Sequence, residues 1–181
     1  SNYRVQFALR HKTDAQKNIP QLQKVFADNQ ILLFIPHVSK AEVVIAGKTR
    51  FLVEKDKERW VVTPFKFPVP EDLKAWVNRN IEGGSKIPEK LKDIANVGIS
   101  FAVSRNGNLV EPVNDARVYN YLPTELRLGF NFLINADFVP NGSRSGLHDV
   151  PWNDIVMKEC GRKFVDWWSS FFVNEGQWDM N

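Results

Sequence analysis

A chain of 181 residues, 43% hydrophobic and 25% charged, has the composition of a globular protein with one sizeable core or two small ones, which excludes intrinsic disorder. A single cysteine, Cys160, excludes an internal disulfide, and His11, His37 and His148 are too scattered for zinc-ligand spacing, so no metal is expected. The net charge of +3 is spread over interspersed Lys, Arg, Asp and Glu without a basic stripe, and nucleic acid is not expected as a partner. No apolar run approaches the length of a membrane span and no charged-then-apolar leader opens the chain, so no membrane contact and a cytoplasmic location are expected. The start at Ser1-Asn2, without Met, leads to the expectation of an excised piece of a longer protein.

Tyr3 to Arg10 alternates apolar and polar residues and predicts a strand with Tyr3, Val5, Phe7 and Leu9 on one face. A helix follows, with Asn18 as N-cap, Pro20 in the first turn and Leu22, Val25 and Phe26 as its apolar stripe. Ile31 to Ile35 is a buried apolar run, strand or helix, that Pro36 stops. Strands are expected near Ala41–Ala46, Thr49–Glu54 and Arg59–Lys66, with Gly47-Lys48 and the charged tetrad Lys55 to Glu58 as hairpin turns.

Pro70-Glu71-Asp72 predicts a helix with acidic residues at its positive end. It carries Leu73, Trp76, Val77 and Ile81 inward before Gly83-Gly84 breaks it. Ile94 to Ser104 returns as a strand, Asn106-Gly107 is a turn, and Arg117–Leu122 and Phe130–Phe138 supply a further pair of strands. From about Trp152 to Val173 the residues Val156, Cys160, Phe164, Trp167 and Phe171 recur at helical spacing. Trp167-Trp168 and Phe171-Phe172 make this helix apolar over more than one stripe, either because it is sunk in its own core or because one side packs on a neighbouring domain. The fold class expected is α+β: a mixed or antiparallel sheet with helices on one face and a long C-terminal helix.

None of the common self-sufficient signatures for nucleotide binding, serine hydrolysis or zinc proteolysis occurs, and no triad or metal constellation supports an autonomous hydrolase. His148 beside Asp149 has no placed nucleophile to serve, and Cys160 lies on the apolar stripe of the last helix, where packing explains it better than reactivity. Asn141-Gly-Ser-Arg-Ser-Gly146 is different. An arginine flanked by small residues, after a strand and before a long helix, offers a fork that matches phosphate oxygens, although it can equally be a solvated or helix-capping charge. The loop composition predicts an exposed, mobile segment with the Arg144 guanidinium free of strong internal partners.

Tyr119-Asn-Tyr-Leu-Pro-Thr124, Leu133-Ile-Asn-Ala-Asp-Phe138, Ser143-Arg144 and Pro151-Trp152-Asn153 at a helix start resemble the second domain of sacsin-like proteins, whose first domain is an ATP-binding fold of the GHKL class. More distantly, this order is similar to the middle domain of the ninety-kilodalton heat-shock chaperone, where a Ser-Arg-Glu loop delivers an arginine to the ATP γ-phosphate. Two positions depart from the chaperone pattern: its glutamate is Ser145 here, and its polar amide four places past the arginine is His148.

The resemblance implies that residues 1–29 are the passage from an N-terminal ATP-binding domain and residues 30–181 a middle, transducer-like domain. Its nucleotide-contacting loop would be Ser143, Arg144 and His148, with Arg144 the catalytic contribution. Mg-ATP would sit in the N-terminal domain, with no cofactor and no activity of its own in this chain. The partners implied are that domain and a client protein or further C-terminal domain. The competing reading is a non-catalytic protein-interaction module that uses its sheet face or aromatic helix without arginine chemistry.

Overall fold

The computed structural model describes residues 29–45, 48–84 and 87–174, together with Pro20. The expected opening strand at Tyr3–Arg10, and the helix after it apart from Pro20, lie outside the described residues. The chain divides into two compact units, Ser1–Lys55 and Asp56–Asn181.

In the first unit the apolar run after Asn29 is a 3-10 helix, Asn29–Leu32, prolonged by a turn in which Ile35 N–H donates to the Leu32 carbonyl at 3.1 Å. Pro36 has no N–H with which to continue it. Leu32 and Phe34 are buried. The strands β1 (Lys40–Ile45) and β2 (Lys48–Glu54) form an antiparallel pair with a register shift between Val43 and Val44.

The charged tetrad is not a hairpin turn, because β3 (Trp60–Pro68) pairs with a strand other than β2. Asp56 instead caps the entry to β3, its Oδ1 accepting from the backbone N–H groups of Glu58 at 3.1 Å and Arg59 at 2.9 Å. An aspartate that bonds backbone two and three residues on favours such a turn over a hairpin.

The second unit is built on one sheet. Its strands are β3, β4 (Asn96–Asn106), β5 (Leu109–Glu111), β6 (Val118–Asn120), β7 (Leu122–Pro123) and β8 (Leu133–Ala136). The order is β3-β4-β8-β6-β7, with β5 folded back on the end of β4. All pairings are antiparallel except β6 with β8, so the sheet is mixed. Gly107, at φ 60, supplies the left-handed turn between β4 and β5. Pro64 lies in β3 at the edge of this path, where a missing N–H costs least.

Among the described residues, two α-helices, α1 (Glu71–Glu82) and α2 (Pro151–Asn174), and a short 3-10 helix, Glu89–Asp93, complete the unit. Glu71 and Asp72 occupy the first turn of α1 and Gly84, at φ 74, follows its end. Val97, Ile99, Phe101 and Val103 alternate along β4 and form one core with Ile134 and Ala136 of β8, Leu73 and Val77 of α1, and Trp152, Val156, Cys160 and Trp167 of α2. The α+β architecture with a long C-terminal helix is therefore observed, both α-helices contributing to the same core. None of the described helices is long and apolar enough to cross a membrane.

Aromatic packing anchors α2. Trp167 stacks on Phe101 at 5.0 Å and its indole N–H donates to the Thr63 hydroxyl at 3.1 Å. Phe164 stacks on Phe132 at 5.0 Å, and this stack runs outward to Phe130 and Trp168, which are 45% and 41% exposed. One stripe of the helix is core, and Trp168 lies on an exposed face. The side chains of Phe171 and Phe172 lie outside the described residues. Burial pushes the Cys160 thiol up to about 12, with Glu159 adding to the shift, so its place is packing and not nucleophilic chemistry.

Candidate functional site

The strand expected over Arg117–Leu122 stops at Asn120, because Tyr121 adopts a left-handed backbone at φ 59 and turns the chain into β7. The strand expected over Phe130–Phe138 is confined to Leu133–Ala136, and Asp137 begins its departure from the sheet. These two interruptions face each other across the parallel β6–β8 pair, and polar side chains fill the space between them.

Asp137 is the hub. Its Oδ2 accepts from the Gly98 N–H at 2.7 Å, its Oδ1 accepts from the Tyr121 hydroxyl at 2.7 Å, and its carbonyl accepts from the Trp152 indole at 2.7 Å. A methyl group at Gly98 would stand 3.3 Å from Asp137 Oδ2, so glycine lets the carboxylate approach. Asn135 Oδ1 accepts from the Tyr121 N–H at 2.7 Å, and Asn120 Nδ2 donates to the Phe138 carbonyl at 2.9 Å. Asn153 closes the far side: its Oδ1 accepts from the Val139 N–H at 2.8 Å and its Nδ2 donates to the carbonyls of Val139 at 2.9 Å and His148 at 2.7 Å.

The loop that follows is closed by the Pro140–Leu147 bridge and a hydrogen bond from Asn141 N–H to the Gly146 carbonyl at 3.1 Å. Ser143 and Ser145 hydroxyls lie 2.9 Å apart and both bond the Asn141 side chain, so Ser143 shapes the loop. Arg144 has a left-handed backbone at φ 57, and its N–H donates to the Asn141 carbonyl at 2.9 Å. Its guanidinium is not free of internal partners, contrary to the expectation from loop composition. Nε donates to the Pro123 carbonyl at 3.1 Å, and Nη2 to the carbonyls of Asn120 at 3.1 Å and Leu122 at 2.7 Å. The composition of the loop alone concealed this, since the acceptors are backbone groups about twenty residues upstream.

Two features of Arg144 bear on chemistry. Among the described residues no carboxylate pairs with it, and Nη1 makes no hydrogen bond. Burial lowers the guanidinium's affinity for its proton, because partial removal from water disfavours the charged form. Such a group is oriented by its carbonyls and, among the described residues, has no paired counter-charge, a condition under which an arriving anion gains. His148 lies beyond the bridge, and it is its peptide that is engaged: its N–H donates to the Val139 carbonyl at 2.9 Å.

Asn120, Tyr121, Asn135 and Asp137 were not assigned roles from sequence. The available signal was Asn135 and Asp137 inside an otherwise apolar, buried segment, since buried polar side chains require partners. Tyr121 reports the state of this network. Burial first, then the hydrogen bond and charge of Asp137, push its phenol from 10.0 up to about 12. The fold thus prefers the neutral phenol: this stabilisation is complete below pH 10 and is lost as the pH rises through 12. On the order of 1–2 kcal/mol is at stake after allowing for screening of a partly exposed group. Denaturation midpoints of the parent chain and Tyr121→Phe should therefore converge between these pH values, and a constant difference across the window would contradict the assignment.

Comparison with protein-family models, with curated proteins and with solved structures returns no match for this chain.

Proposed function

We propose that this chain is the transducer-like second domain of a chaperone-like GHKL-class ATPase, in which Arg144 meets the γ-phosphate of Mg-ATP bound by an N-terminal domain. The contact couples nucleotide state to the relative orientation of the two domains. The observation that carries the reading is the guanidinium held by three carbonyls, with no carboxylate and no Nη1 partner among the described residues. A cation so placed supplies phosphate recognition that is already oriented when the nucleotide arrives. Ser143 and Ser145 shape the loop around it, and His148 bounds the loop where the chaperone pattern has an amide.

On this reading the pocket, the magnesium ligands and the general base all belong to the neighbouring domain. Calorimetric titration of the 181-residue chain with Mg-ATP should give no binding tighter than millimolar. A dissociation constant below about 10 μM, close to 7 kcal/mol of binding free energy, would place a complete nucleotide site within this chain and overturn the reading.

A second reading, a protein-interaction module without arginine chemistry, is favoured by one observation: the aromatic stack that includes the exposed Phe130 and Trp168. Such a face suits a client or an adjoining domain.

A further inference from the structure

We infer that Tyr121 is the positioning residue for Arg144, an inference that rests on the phosphate-sensing reading of that arginine. Tyr121 and Arg144 both have left-handed backbones, at φ 59 and 57. Nη2 of Arg144 bonds the carbonyls of Asn120 and Leu122, the residues on either side of Tyr121. In an extended strand, oxygens two residues apart are separated by about 6.8 Å. That span is too long for one nitrogen to bond both at 3.1 and 2.7 Å. The left-handed turn at Tyr121 pairs Asn120 with Leu122 and draws their oxygens together. The carbonyl cradle is thus a product of the Tyr121 backbone.

A tyrosine does not hold that backbone without support. Here its N–H is taken by Asn135 Oδ1 at 2.7 Å and its hydroxyl by Asp137 Oδ1 at 2.7 Å. Asp137 is itself fixed on the Gly98 N–H of β4. Lys90 covers the ring, 5.7 Å from its centre. The support therefore runs from β4 through Asp137 and Tyr121 to the guanidinium plane, and with Nε and Nη2 engaged the direction of Nη1 is set. Tyr121 does not touch the phosphate; it determines where the arginine points.

The test is hydrogen exchange at the Arg144 Nε–H in the 181-residue chain, read by nitrogen-15 NMR and assigned by loss of the signal in Arg144→Lys. The Trp167 indole N–H, bonded to Thr63, reports that the fold is intact. Tyr121→Phe removes the hydroxyl, and Asn135→Ala removes the acceptor of the Tyr121 N–H. Each should accelerate Arg144 Nε–H exchange by roughly 10-fold or more while the Trp167 signal persists. Unchanged exchange in either variant that retains the Trp167 signal overturns the inference. In the full ATPase, Tyr121→Phe should lower kcat by roughly 10-fold with KM for ATP little changed, the mark of a misaimed group and not of lost binding. Accelerated exchange, with an ATPase rate that neither Tyr121→Phe nor Arg144→Lys alters, would retire the phosphate-sensing reading while leaving the positioning role in place.

Discussion

Replacing Arg144 by alanine is expected, on the ATPase reading proposed above, to lower the ATPase rate of the parent protein by roughly 10²-fold or more, because a charge-assisted contact to the transferring phosphoryl group would strengthen in the transition state. The same substitution should destabilise the isolated chain by about 1–3 kcal/mol. Three carbonyls lose their donor. A β-carbon also remains at φ 57, where glycine is preferred. Arg144→Gly separates the two effects: it removes the guanidinium but suits the backbone, so it should match alanine in rate loss while remaining more stable. Arg144→Lys keeps the charge without the planar fork and should recover less than about a tenth of the rate. Steady-state hydrolysis and urea denaturation of the three variants give both quantities, and a normal rate in Arg144→Gly would remove the arginine from the chemistry.

The largest effect on stability is expected at Trp152. Its side chain is fully buried in the core, and its indole N–H holds the Asp137 carbonyl at the point where the chain leaves β8. Trp152→Ala opens a cavity and leaves that carbonyl without its donor, at a cost of about 3–5 kcal/mol. Against a typical total of about 5–15 kcal/mol this brings the domain close to unfolding at ambient temperature. Trp152→Phe, which keeps most of the volume and loses the hydrogen bond, should cost about 1–3 kcal/mol. Trp168→Ala, on the exposed face of the same helix, should cost well under half as much as Trp152→Ala, and chemical denaturation of the three variants checks the order.

These positions show what the sequence made legible. Helical spacing placed α2 to within a residue or two of its limits, and the α+β class followed from the alternation of strands and helices. Local signals sufficed there because the pattern of apolar burial is itself local. The tetrad Lys55 to Glu58 misled for the complementary reason. A charged turn between two strands reads as a hairpin whether or not the strands pair, and pairing of β3 with β4 is decided some forty residues away. Tyr121 was hidden in an apparent strand, since nothing in Tyr119-Asn-Tyr-Leu announces a left-handed residue. Its partners, Asn135 and Asp137, come from β8 and the chain just beyond it, and parallel pairing with β6 brings them near. The polar residues within the resembling segments, Asn120, Asn135, Asp137 and Asn153, are used to build the frame around Arg144.

On the proposed reading, Arg144 stays on the carbonyls of Asn120, Leu122 and Pro123 and presents Nη1 to a phosphate held by a neighbouring domain. A crystal structure of the full protein with Mg-ADP and aluminium fluoride in place of the transferring phosphoryl group measures this directly. The account predicts Nη1 of Arg144 at about 2.7–3.1 Å from the fluoride or the bridging oxygen, with Tyr121 still bonded to Asp137. An Arg144 whose Nη1 stays out of hydrogen-bond reach of the nucleotide would contradict it.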